Sequence, residues 1–213
     1  MKTILVFANG APVEADLIAT LRYDLLYCAD GGATQAMALG LKPDLIAGDL
    51  DSIDHETLKQ AELSGIPLRR FPRDKDLTDL ELCLLEAVKL TPFQILIVGA
   101  LGLRVDQHLS NLLLLTRPQF NGIRIGVIDT HQSIWILRAG ESIELIGKQG
   151  DLLSIIPVSE RVLGVNADGT FWPLKAAALE LGDSRTVSNV FLGSCVRVSI
   201  SSGLCLIIHI APT

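Results

Sequence analysis

Up to about residue 130 the sequence alternates short, unbroken apolar runs with segments of helical period, and this alternation narrows the possible folds more than any other feature. Residues 4–8, 25–29, 45–47, 68–71, 95–98 and 125–128 read as strands buried on both faces. Residues 13–21, 33–39, 55–63, 78–90 and 106–116 read as the helices between them. The pattern predicts an α/β domain with a Rossmann-like, mostly parallel sheet and helices on both faces. Beyond residue 130 the helical period fades. Residues 133–138, 142–146, 152–156, 195–201 and 204–210 are short, rich in Ile, Val and Ser, and separated by glycines, which predicts an antiparallel β-sandwich. Within that half only 175–181 reads as a helix. The expected organisation is an α/β domain over 1–129 followed by the sandwich over 130–213.

Composition removes several classes. The chain has 213 residues, 49% of them hydrophobic, with a mean hydropathy of +0.42, which excludes disorder and raises the question of a membrane segment. The longest apolar runs, 112–115 and 204–208, fall far short of the roughly 18–20 residues a spanning helix requires. The opening MKTILVFANG is too short for a secretory signal and ends in an Asn9-Gly10 turn, so it reads as a first strand. A net charge of −6 argues against nucleic acid and anionic membranes as partners. Cys28, Cys83, Cys195 and Cys205 form no CxxC and each lies in an apolar run, so buried free thiols and a cytoplasmic location are expected.

Ligands of open parallel sheets bind at the carboxyl ends of the strands, and four of those ends carry more than a connector needs. Asp30-Gly31-Gly32-Ala33 is either a tight turn capped by Asp30 or a place where a phosphate approaches the backbone. In Gly48-Asp49-Leu50-Asp51-Ser52 the two carboxylates stand at i and i+2, on one side of an extended chain, where they can share a cation such as Mg²⁺. Capping of the next helix by Asp51 or Ser52 accounts for one of them only. Arg73-Asp74-Lys75-Asp76-Leu77-Thr78-Asp79-Leu80-Glu81 contains a Thr78/Glu81 capping box. Capping requires neither Asp79 nor the dense charge before Thr78; these acids suit a metal, and Lys75 or Arg73 suits phosphate oxygens. Gly99 to His108 supplies a glycine turn, the guanidinium fork of Arg104, and Asp106 as cap or ligand. His108 reads as a structural histidine. Together these ends make a Mg²⁺-nucleotide site for phosphoryl or pyrophosphoryl transfer; no Walker A sequence is present.

The order DGGA, PDLIAGDLDS, KDLTDLE, GALGLRVDQHLSN resembles the thiamine pyrophosphokinase family. Gly169-Thr170-Phe171-Trp172-Pro173-Leu174 and the later Ser188-Asn189 look like that family's GLKWPL and SN signatures, so the resemblance spans nearly the whole chain. It implies transfer of a pyrophosphoryl group from ATP to the hydroxyl of thiamine, with AMP released, by a homodimer whose active site lies at the subunit interface. It further implies that Asp49, Asp51 and Asp79 hold Mg²⁺, and that Asp51, Asp79, Arg104 and Asp106 carry the chemistry. ATP would meet Asp30, Gly31, Gly32, Lys75, Thr78, Gly102, Arg104 and Gln107; thiamine would meet Trp172, Ser188 and Asn189. An aromatic face suits both the aminopyrimidine and the cationic thiazolium. Two departures stand out: Gly102-Leu103-Arg104 is less glycine-rich than usual, and Thr170-Phe171 replaces Leu-Lys beside the ring.

Residues 44–81 hold ten of the 24 acidic and five of the 18 basic residues, so nearly all the net charge lies in the segment assigned to metal and nucleotide. Two other readings keep the acidic site: a pyrophosphokinase for another small alcohol such as a pterin, and a non-catalytic nucleotide- or thiamine-sensing module.

Overall fold

A computed structural model describes residues 1–102 and 104–212, so Leu103 of the arginine loop lies outside the described residues. The apolar runs of the first half form β1 (Thr3–Phe7), β2 (Leu25–Ala29), β3 (Leu45–Gly48), β4 (Leu68–Arg70), β5 (Gln94–Val98) and β6 (Arg124–Ile128). Between them lie α1 (Ala15–Thr20), α2 (Gly32–Ala38), α3 (His55–Leu63), α4 (Asp79–Val88) and α5 (Val105–Leu114). All pairings among these strands are parallel, with Ile4 opposite both Leu25 and Ile95. Ile4, Leu5, Val6 and Phe7 are all inaccessible to solvent, which explains why this strand is an unbroken apolar run.

The strand order is β6-β5-β1-β2-β3-β4. The chain therefore builds outward from β1 to β4, then returns to the other side of β1 for β5. The loops leaving β1 and β5 part in opposite directions, and the crevice between them is where such sheets bind ligands. α4 starts beside that crevice. Thr78 caps it by accepting a hydrogen bond from the Glu81 amide at 3.2 Å, while Leu80, Cys83, Leu84 and Ala87 are buried as the helix packs on β2 and β3. The Glu81 carboxylate pairs with Arg117 at 2.7 Å. The cap of α3 is Asp54, which accepts from the Thr57 amide at 2.8 Å, so neither Asp51 nor Ser52 is occupied in that role.

Two compact units divide the chain, Met1–Thr130 and His131–Thr213. The second contains β7 (Gln132–Arg138), β8 (Ser142–Ile146), β9 (Leu152–Pro157), β10 (Arg161–Asp168), β11 (Leu174–Glu180), β12 (Asn189–Val190), β13 (Cys195–Ser199) and β14 (Leu204–Ile210). These pair antiparallel in the orders β12-β9-β14-β7 and β11-β10-β13-β8.

Two expectations fail in this unit. The predicted helix at 175–181 is strand β11, paired with β10 through Arg161 to Glu180 and Val162 to Leu179. Its Leu-Lys-Ala-Ala-Ala-Leu-Glu sequence has helical propensity, but cross-strand pairing and the burial of Leu179 outweigh it. Register shifts along β10 and a left-handed Ala176 (φ 45°) break the period-two pattern that would have marked the strand. Cys195 is exposed, unlike Cys28, Cys83 and Cys205, because β13 alternates and Val196, not Cys195, faces inward. No helix among the described residues is long and apolar enough to cross a membrane.

Candidate active site

A cleft of about 670 Å³ opens at the crevice between β1 and β5. Asn9, Gly10 and Ala11 line it from the loop after β1, and Asp30 from the end of β2. Ser52, Thr78 and Asp79 form another side, and Ala100, Leu101, Gly102, Arg104, Gln107, His108 and Asn111 close it. The two flanking loops touch through the backbone: the Ala11 amide donates to the Leu101 carbonyl at 2.6 Å. A Cβ on Gly10 would lie 2.2 Å from the Gly99 carbonyl oxygen, so only glycine permits that approach. Asn111 donates to the Ala100 carbonyl at 2.8 Å and ties the β5 loop to α5.

Oxygens of Asp30, Asp49 and Asp79 lie within 4.8 Å of one another. Asp30 sits in the left-handed region (φ 44°), is 3% exposed, and its Oδ1 is buried with no hydrogen-bond partner. Burial pushes its carboxyl above the usual range, with the charges of Asp79 and Asp49 acting in the same direction. Lys75 Nζ lies 2.7 Å from Asp49 Oδ2 and 3.1 Å from Asp79 Oδ1. The hydrogen bond from Lys75 holds Asp49 below its ordinary pKa. Burial works against the ammonium, but its bonds to Asp49 and Asp79 prevail and raise it. One cation thus bridges two of the three carboxylates, and the orphaned oxygen of Asp30 remains. Such an oxygen-only donor set suits a hard divalent ion.

Asp51 does not join that group. Leu50 is left-handed (φ 66°), so the chain is not extended there and the i, i+2 rule does not carry Asp51 to the side of Asp49. Its amide donates to Asp49 Oδ1 at 3.3 Å, while its carboxylate pairs with the exposed Arg73 at 3.1 Å. Asp30 takes the third place in the cluster.

The other predicted residues divide similarly. Thr78, Gly102, Arg104 and Gln107 are on the cleft wall. Arg104 is held by Asp106 through two hydrogen bonds, 2.5 and 3.2 Å long, between exposed side chains. This pairing raises the guanidinium and lowers the Asp106 carboxyl from their ordinary values. Gly31 and Gly32 are packing glycines: a Cβ on Gly32 would lie 2.4 Å from the Phe7 carbonyl oxygen, and one on Gly31 2.5 Å from the side-chain Nδ2 of Asn9. Sequence reasoning overlooked Asn9, Ser52 and Asn111 and set His108 aside; the Asn9-Gly10 turn directly after the first strand was the available signal.

In the second unit, Trp172 and Phe171 are 59% and 60% exposed and meet edge to face, with centroids 4.8 Å apart. Asn189 is buried, and its side chain bonds the main chain of Trp172. Ser188 is exposed and left-handed (φ 60°).

The model of the thiamin pyrophosphokinase catalytic domain matches residues 20–127, and that of the family's vitamin B1 binding domain matches 142–205. The thiamine pyrophosphokinase of Bacillus subtilis is 30% identical over 98% of this chain and 99% of its own. Thiamine pyrophosphokinase 1 of rice, Oryza sativa, is 28% identical over 86% of this chain and 78% of its own. The crystal structure of the B. subtilis protein superposes over 100% of both chains with a TM-score of 0.87 at 27% identity. That of a family protein from Enterococcus faecalis does so with a TM-score of 0.82 at 26%. The matched segments fall in order along the chain, and the likeness in sequence and in fold extends over nearly all of it: this chain belongs to the thiamin pyrophosphokinase family.

Proposed function

We propose that the cleft between β1 and β5 is the ATP site and that Asp30, Asp49 and Asp79 hold a divalent cation, Mg²⁺, against the triphosphate. As a member of its family the chain is an ATP-dependent transferase that moves a pyrophosphoryl group to thiamine. The observation that carries the site assignment is the buried, unpartnered oxygen of Asp30 beside the carboxylates of Asp79, on the wall of the cleft, and Asp49. A bound cation there would neutralise phosphate charge and offset the mutual repulsion of the acids.

The residues of the chain do the rest by position and charge. Arg104 on the cleft wall and Lys75 beside Asp49 and Asp79 supply positive charge to phosphate oxygens, and Thr78, Gly102 and Gln107 shape the space for the nucleotide. Gly31 and Gly32 serve ATP by letting β1 and the α2 turn close together. Asp51 stands next to the acidic set, its amide bonded to Asp49 and its carboxylate to Arg73. The thiamine hydroxyl attacks the β-phosphorus in line, AMP departs, and Asp51, Asp79 and Asp106 are the carboxylates available for the hydroxyl proton. Thiamine is received at Trp172 and Ser188, with Asn189 supporting that pocket from behind. The exposed apolar surface of Phe171, Trp172, Val187 and Leu192 supports a homodimer in which the active site forms at the subunit interface. Free, buried Cys28, Cys83 and Cys205 suit the cytoplasm.

The test supplies ATP, Mg²⁺ and thiamine and identifies both products. AMP with thiamine diphosphate is expected. ADP with thiamine monophosphate overturns pyrophosphoryl transfer, and AMP formed only with another alcohol, such as a pterin, overturns the acceptor.

A further inference from the structure

The structure assigns Asn189 to positioning: its side chain fixes the main chain of Trp172 and so presents the exposed indole in one place, in contrast to a residue that touches the acceptor. The assignment rests on the reading that Trp172 receives thiamine.

Asn189 is only 6% exposed, and three hydrogen bonds engage its side-chain amide. Oδ1 accepts from the Trp172 amide at 3.0 Å and from the Val190 amide at 2.9 Å, which fills both lone pairs. Nδ2 donates to the Trp172 carbonyl at 2.7 Å. Both polar groups of one residue are thus gripped by a single side chain. Asn189 reaches them because Ser188 is left-handed, with its amide bonded to Ser154 Oγ at 3.0 Å. β12 is itself anchored on β9 through Asn189 opposite Leu153 and Val190 opposite Leu152.

The neighbouring bonds have the same purpose. The Phe171 amide donates to the Val190 carbonyl at 2.8 Å, and the Leu192 amide to the Gly169 carbonyl at 2.9 Å. Residues 169–172 are therefore sewn to residues 189–192 while the two rings above remain in solvent. A rigid, exposed aromatic pays its ordering cost on folding and not on binding.

The test uses full-length protein carrying Trp135→Phe, so that Trp172 is the single tryptophan and is excited selectively over the two tyrosines. Asn189→Ala and Asn189→Asp should each lower the anisotropy of Trp172 and raise the KM for thiamine on the order of tenfold, with the KM for ATP unchanged. In a Trp172→Ala background the same changes at Asn189 should have no further effect on the thiamine KM. Unchanged anisotropy with a raised thiamine KM would make Asn189 a direct contact and overturn the proposal. A Trp172→Ala protein with normal thiamine KM refutes instead the reading of Trp172 as the acceptor platform, whatever the anisotropy reports. Should neither Asn189 variant fold, amide exchange on the unmodified protein decides: slow exchange at Trp172 is expected, and free exchange overturns the clamp.

Discussion

Lys75 and Asp49 form a 2.7 Å ion pair whose side chains are only 13% and 12% exposed, so the positive charge nearest the acidic cluster belongs to the protein. Removing it leaves Asp30, Asp49 and Asp79 facing one another without a counter-charge. Lys75→Met should lower stability by about 2 kcal/mol in chelator, between the values of exposed and buried pairs. Millimolar Mg²⁺ should restore more of the melting temperature in the variant than in the wild type. Equal responses to Mg²⁺ in thermal melts would separate the cation from this cluster.

Asp79→Asn should lower turnover by about 100-fold or more with the fold retained, because Asp79 belongs to the three-carboxylate group and lines the cleft. Asp51→Asn should cost less, since its carboxylate is engaged by Arg73 at the exposed edge. Steady-state rates over a Mg²⁺ titration rank the two. The reverse order would return Asp51 to the centre of the metal site.

Asp54 gives the clearest dependence on pH. Its side chain accepts from the Thr57 hydroxyl and amide and from the Thr34 hydroxyl, and these bonds depress its pKa from 3.8 to about 2. A depressed carboxylate contributes stability that is present above its unfolded value and lost as pH falls through the folded one. Asp54→Ala should therefore melt a few degrees below wild type at pH 7. The gap should close between about pH 4 and pH 2. A gap that is constant over melts in that range would show that the cap is not titrating.

Gly32 and Gly31 separate backbone strain from site disturbance. A Cβ on Gly32 meets the Phe7 carbonyl oxygen at 2.4 Å, and that backbone cannot yield, so Gly32→Ala should destabilise by about 1–3 kcal/mol. On Gly31 the obstacle is the Asn9 side chain, at 2.5 Å, which can turn away into the cleft. Gly31→Ala should unfold nearer to wild type yet raise the KM for ATP. Chemical denaturation and nucleotide kinetics on both variants test the distinction.

The legibility of the chain followed its physics. The parallel sheet could be read because strands such as β1 are buried on both faces and leave an unbroken apolar run. β11 could not, because its pairing is non-local and its alternation is broken by register shifts. Asp49 stands out in the sequence by its i, i+2 spacing from Asp51 and Asp79 by the dense charge around it, whereas Asp30 before two glycines reads as a cap or a phosphate contact and gives no sign of joining the acidic cluster. The separation of Asp51 from Asp49 depended on a left-handed leucine, a conformation for which a non-glycine residue carries no sequence signal. Asn189 was recognisable by resemblance, but its commitment to the main chain of Trp172 appears only once the fold closes 17 residues of separation.

Leu50 joins two demands that ordinarily exclude each other. Its backbone adopts a conformation that glycine favours, while its side chain is 5% exposed and seated in the core. The anchored side chain works as a peg that keeps the turn cocked, with Asp49 on one side of it and Asp51 on the other. The hydrophobic interior below and the acidic loop above are thus mechanically coupled, and a volume change in the core beneath Leu50 would be felt as a displaced carboxylate.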